Sequence, residues 1–233
     1  MAPPRWFLAV YALSGAAALV YEVAWTRLLT LYLGHGIAAA STVLAAFMGG
    51  LAVGAGVAGP MSDHTPRIRA MRLYAGLELA IAALALAMPL GLALMEPLLA
   101  RAYADGAGGL GFPVLRLLTC VIFVALPAVA MGATFPLVAR WYVPAARAAT
   151  RDAGALYAAN TFGAALGALA TGFLLLPSLG LRGTTWVGVA MNVIVAAAAW
   201  SLAARGAAGG APAENAALPA GTAASVAPAA RTA

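Results

Sequence analysis

An acid sits inside an oily run near the start of this chain. From Trp6 to Leu33 the only charged side chains are Glu22 and Arg27, and a helix over that stretch, rising about 1.5 Å per residue, can cross the ~30 Å hydrocarbon core of a bilayer. An ionised side chain in hydrocarbon costs at least ~2.5 kcal/mol, so it faces protein, a polar cavity or the interface. The same problem recurs at Glu78, about two turns inside a later apolar run. Glu22 and Glu78, with the amides Asn160 and Asn192 further along, are therefore the candidate intramembrane substrate or proton sites.

Composition makes the membrane reading general. The 233 residues are 64% hydrophobic and 9% charged, with mean hydropathy +0.94, whereas about a quarter of the residues in a soluble domain are charged. The net charge of +6 comes from thirteen arginines and no lysine. Their scatter at the ends of apolar runs marks membrane sides rather than a nucleic-acid surface. The single cysteine, Cys120, cannot close an internal disulfide. The first apolar run outlasts the ~7–15-residue core of a secretory signal, so it reads as a retained span.

Six spans are expected, at about 6–33, 38–61, 71–95, 112–141, 154–177 and 183–204, forming one transmembrane domain over 1–205. The remainder, 206–233, is rich in Ala, Pro and Gly and reads as a flexible tail or truncated linker. In the first span Ser14, Ala18, Glu22 and Thr26 recur every four residues and should share a face looking into the bundle. Arg27 lies about 140° around the helix from Glu22, a poor intrahelical partner. Gly34-His35-Gly36 breaks that helix, with His35 an interfacial turn residue. In the second span Gly54-Ala-Gly56-Val-Ala-Gly59 matches the dinucleotide fingerprint G-x-G-x-x-G as a string. It lies inside an apolar run rather than at a strand-to-helix turn, so Gly50 and Gly54 read as helix-packing positions. Gly163 and Gly167 in the fifth span, at helical spacing with Asn160, read the same way. Pro89, Pro127 and Pro136 can kink their helices.

The most charged segment joins the second and third spans. Gly59, Asp63, Arg67, Arg69 and Arg72 resemble the loop between the second and third helices of major facilitator transporters, which implies a structural or gating role. His64 and Pro66 depart from that pattern, and an ordinary basic turn is the alternative. Arg140 or Arg72 could pair with Glu78; Arg27 and Arg116 are further candidate charge partners. Putting residues 5, 67, 69, 72, 140, 147, 151 and 205 on one side gathers eight arginines against Asp63 and Asp152. The other side then holds only Arg101, Arg116 and Arg182 against Glu96 and Asp105. By the positive-inside rule both termini are cytoplasmic, in a multi-pass protein of the bacterial inner membrane.

Several blocks together, YEVAWTRLL (Tyr21–Leu29), the Gly-rich run 41–60, MGATFPL (Met131–Leu137) and the run 156–184, resemble the membrane domain of bacterial fused spermidine synthases. The resemblance covers roughly residues 6 to 204. It implies an all-α, six-helix bundle like one half of a major facilitator transporter, standing next to a cytosolic aminopropyltransferase domain. That domain's glycine-rich loop and catalytic aspartate have no counterpart here. Nor does the sequence offer a Ser/His/Asp set, a metal cluster or a phosphate loop. No catalytic residue, metal or cofactor is expected, and any enzymatic role stays open.

Three functions remain. The chain could anchor or serve an aminopropyltransferase-type domain or subunit. It could be a half-size transporter for polyamines or other organic cations, acting as a homodimer with its site near the midplane. It could be a structural subunit of a larger membrane complex. The lipid bilayer is a partner in all three.

Overall fold

The computed structural model describes residues 4–33, 37–104, 111–143 and 149–209. The described residues are almost entirely helical and contain no strand. The helices are α1 (Phe7–Leu33), α2 (Ile37–Asp63), α3 (Arg67–Ala104), α4 (Gly111–Cys120), α5 (Leu126–Tyr142), α6 (Ala149–Ala170) and α7 (Leu176–Gly209). Five stretches are long and apolar enough to span a membrane: Phe7–Leu31, Ala40–Asp63, Arg67–Ala102, Pro113–Tyr142 and Ala149–Ala207. The His35 turn, Asp105, Arg147 and the tail from 210 onward lie outside the described residues.

Two of the expected spans contain a wider turn. A five-residue π-helix, Val121–Ala125, joins α4 to α5, and a second, Thr171–Leu175, joins α6 to α7. Each lies just ahead of a proline, Pro127 or Pro177. Proline has no N–H and its ring crowds the carbonyl four residues back, here that of Phe123 or Phe173. Both carbonyls fall inside a π turn, where the wider i→i+5 winding relieves the clash without breaking the helix.

The last apolar stretch, Ala149–Ala207, is 59 residues long, about twice what one crossing needs. It is divided at Gly180, which has φ 65° and ψ −176°. That conformation is essentially reserved for glycine, because a Cβ would strike the backbone. Before the break, Gly163 meets Ala12 and Gly167 meets Ala16. After it, Gly188 meets Tyr21, and Ala199 and Ala203 share a cluster with Phe7 and Tyr11. The chain therefore ascends beside α1 and descends beside it again.

Other boundaries differ from the sequence expectation for one reason: helix propensity outlasts hydrophobicity. The third span is expected at 71–95, but α3 starts at Arg67 and runs through Glu96 and Pro97 to Ala104, because Ala, Leu, Arg and Glu predominate in its flanks. The second helix continues past Gly59 and Pro60 to Asp63. Residues 206–209, expected in the tail, continue α7.

The core is divided at mid-height. One apolar cluster holds Ala17, Tyr21, Trp25, Ile81, Met88, Ala128, Met131 and Val189, among others. The second holds Phe7, Tyr11, Met71, Tyr74, Leu137, Val138, Val195 and Ala199, among others. On α1 the boundary falls at Ser14, on α3 at Glu78, on α5 at Thr134 and on α7 at Asn192. All four are buried, so a polar layer crosses the bundle between two oily ones. Phe7, Ala70, Tyr142 and Ala203 share one cluster, which puts the start of α1 and the end of α7 at the same end.

Backbone contact through glycine cements two parallel helix pairs. A Cβ on Gly163 would stand 1.8 Å from the carbonyl oxygen of Ala12, joining α6 to α1. A Cβ on Gly54 would stand 2.0 Å from the carbonyl oxygen of Val129, joining α2 to α5. Where lipid surrounds the bundle, such close approach supplies packing contact that the hydrophobic effect does not provide between helices.

Candidate functional site

The polar layer is a hydrogen-bonded chain across three helices. Ser14 Oγ donates to Glu78 Oε1 at 2.6 Å, and Asn192 Nδ2 donates to Glu78 Oε2 at 2.5 Å. Tyr21 Oη donates to Asn192 Oδ1 at 2.7 Å, returning the chain to α1. Both carboxyl oxygens thus hold a donor, and Glu78 is fully buried. Glu78 stands eleven residues into α3, about 16 Å beyond Arg67 at 1.5 Å per residue, roughly half the ~30 Å that a bilayer crossing would need. The Tyr74 hydroxyl lies beside this pair but outside hydrogen-bonding geometry, and the Tyr11 hydroxyl lies beside Thr134.

A cleft of about 330 Å³ opens against this layer. Ser14 and Asn192, which hold Glu78, are part of its wall, together with Tyr11, Thr134, Tyr157 and Asn160. Glu78 therefore stands one layer behind the wall. Tyr157 is 64% exposed, so the cleft opens onto the face of the bundle rather than being sealed. Its walls come from α1, α2, α5, α6 and α7, with Ile81 of α3. Asn160 is set there by backbone packing: its carbonyl lies 2.3 Å from where a Cβ on Gly15 would stand. Tyrosine hydroxyls, amides and a threonine in an otherwise apolar cleft suit a small ligand with a few polar groups.

The pairing of Glu78 with Arg72 or Arg140 is not what forms. Both oxygens are taken by Ser14 and Asn192, and Arg140 is engaged elsewhere. The reason is depth: each arginine lies at a helix end, and holding its guanidinium at mid-height would bury a second charge. The inward face expected for Ser14, Ala18, Glu22 and Thr26 is also rotated. Ser14 is buried, but Ala18, Glu22 and Thr26 are only half-buried, while Ala17, Tyr21, Ala24 and Trp25 are buried. Burying the Tyr21 and Trp25 rings, stacked with centroids 5.2 Å apart, removes more apolar surface than burying Ala18 and Thr26 would. Glu22 has no hydrogen-bond or ion-pair partner among the described residues.

At the end of the bundle holding Phe7, two arginines cross a gap in opposite directions. Arg67 at the start of α3 donates through Nε to the Trp141 carbonyl at 3.1 Å, and through Nη2 to the same oxygen. Arg140 in the last turn of α5 donates to the Thr65 carbonyl at 3.0 Å. Trp141 stands in the last turn of α5, where carbonyls lack internal partners, and Thr65 lies in the turn between α2 and α3. Gly59 accepts a bond from Ser62 Oγ at 2.8 Å and has open space around its Cα. Asp63, Arg69 and Arg72 are exposed. Arg27 is exposed, and Arg116 stands one turn before the buried Cys120.

Sequence reasoning named Ser14, Glu78, Asn160 and Asn192 without bringing them together. It missed Tyr21 and Thr134. The available signal was spacing: Ser14 and Tyr21 lie seven residues apart, on one helix face. Thr134 stands two residues before Pro136, and a sequence does not say which helices meet there. Among the described residues no group of three His, Cys, Asp or Glu side chains could hold a metal ion. No family model, curated protein or solved structure matches this chain.

Proposed function

We propose that the chain is the membrane module of a spermidine-synthase-like system, embedded in the bacterial inner membrane with both termini cytoplasmic. It crosses the membrane six times, as two limbs on either side of Gly180 plus four earlier spans, in the manner of one half of a major facilitator transporter. Its cleft binds a small organic cation of the polyamine class and serves a cytosolic aminopropyltransferase-type domain or subunit. One observation supports this beyond simple anchoring: a buried, donor-saturated carboxyl group stands directly behind the wall of an open polar cleft. An acid at that depth is costly to keep, and tying helices together does not by itself require an open polar cleft in front of it.

A second reading, a half-size transporter acting as a homodimer, is favoured by the direction in which the cleft opens. Two copies facing each other would close two clefts into one central site near the midplane. The full chain purified in detergent and titrated with spermidine in a calorimeter tests the shared element. Saturable binding that Asn160→Ala weakens and a neutral polyether of similar length does not imitate supports it. Absence of binding, alone and with every co-purified chain, overturns it. Uptake into proteoliposomes by the same preparation then separates transport from service to a partner enzyme.

A further inference from the structure

A second cavity lies away from the polar layer, toward the opposite end of the bundle from Phe7. It has a volume of about 420 Å³ and is formed by α1, α3 and the limb that follows Gly180. Leu28, Leu86, Leu90 and Leu181 make its walls apolar, and Arg182 and Thr185 lie along it. None of its lining residues is acidic. Its wall also contains Trp25, whose side chain is 2% exposed and whose indole N–H has no acceptor. A buried donor without an acceptor costs about 1–3 kcal/mol, so a group that supplies one is favoured there. The groove thus combines an oily channel, an unanswered donor and one cation, the complement of an anionic amphiphile.

We propose that this groove is a binding site for an anionic phospholipid, with an acyl chain along the leucines and the phosphate at Arg182. Position supports the assignment. Arg182 is exposed two residues after the Gly180 break, where the limb begins, so its guanidinium lies at headgroup depth. Trp186, one turn further, is 53% exposed, as tryptophans at the membrane interface are. The site is separate from the cleft beside Glu78 and does not depend on what that cleft binds.

The test uses the full chain in neutral detergent, with retained lipid read by native mass spectrometry and stability read by thermal unfolding. Phosphatidylglycerol should be retained and should raise the unfolding temperature more than phosphatidylcholine of the same chain length, and inorganic phosphate should do neither. Arg182→Gln, a change at an exposed position, should reduce the preference for phosphatidylglycerol about fivefold, the scale of one basic side chain against an anionic surface. Leu90→Trp should fill the channel and reduce retention of both lipids. Equal retention of the two lipids by the unmodified chain, a preference that survives Arg182→Gln, or equal stabilisation by phosphate alone overturns the proposal.

Discussion

Ser14 and Glu78 lie 64 positions apart in the chain and 2.6 Å apart in space, hydroxyl to carboxyl. Their contact ties α1 to α3 at the level where the two halves of the core part. Asn192 completes the tie from α7, so one side chain sets the mutual height of three helices.

That arrangement separates three substitutions. Glu78→Gln can still accept from Asn192 and donate to the Ser14 hydroxyl, which is able to accept, so its cost should be below about 1 kcal/mol. Glu78→Leu leaves Ser14 and Asn192 each with an unanswered group and should cost about 2–6 kcal/mol at roughly 1–3 per group. Ser14→Ala should fall between them. Thermal unfolding in one detergent orders the three; equal stability of Glu78→Leu and the unmodified chain would remove the network from the account of the fold.

The glycine seams predict opposite outcomes for one chemical change. Gly163→Ala puts a methyl 1.8 Å from the Ala12 carbonyl, so α1 and α6 must separate, at about 1–3 kcal/mol or more. Gly56→Ala meets open space on α2 and should stabilise by about 0.5–1 kcal/mol through helix propensity. Unfolding temperatures on either side of the unmodified value check both signs.

Gly180 carries the reversal between the last two limbs. Gly180→Ala forces a Cβ into a conformation that strains L residues by about 1–3 kcal/mol, and fewer molecules should complete the turn. In a Cys120→Ser background, a cysteine introduced at Arg182 should react with a membrane-impermeant reagent from the side opposite one introduced at Arg67. Labelling from the same side would refute six crossings.

The crossed arginines should couple. Removing Arg67 leaves the Trp141 carbonyl without its guanidinium, and removing Arg140 does the same to Thr65. Both sites are exposed, so each change should cost at most about 1 kcal/mol. A double-mutant cycle with alanine should show a non-zero coupling, because each cation stands close in the chain to the carbonyl the other holds. Arg67→Lys should not restore the full value, since one ammonium does not reproduce the two-nitrogen contact on a single oxygen.

The apolar runs were legible in composition alone: each expected span falls on helix, give or take its ends, though among the described residues five stretches rather than six are long and apolar enough to cross a membrane. The π turns were partly legible, since Pro127 and Pro177 announce an irregularity without saying how it resolves. The partners of Glu78 were not. Depth explains why: nearby arginines looked like natural counter-ions in sequence, but Glu78 lies too deep for them, and neutral Ser14 and Asn192 meet it from helices whose neighbours a string does not reveal. The rotation of α1 was hidden for a similar reason. A four-residue repeat picks out a face, and the Tyr21 and Trp25 rings decided which face went inward.

The glycine seams join α1 to α6 and α2 to α5 backbone against backbone, whereas α5 and α6 barely meet. Each pair consequently behaves as a single plank with no room to slide along its own joint. The opening beside Asn160 has one wall on each plank, Ser14 and Tyr157 on the first, Leu51 and Thr134 on the second. Widening or narrowing it is therefore a matter of tilting plank against plank.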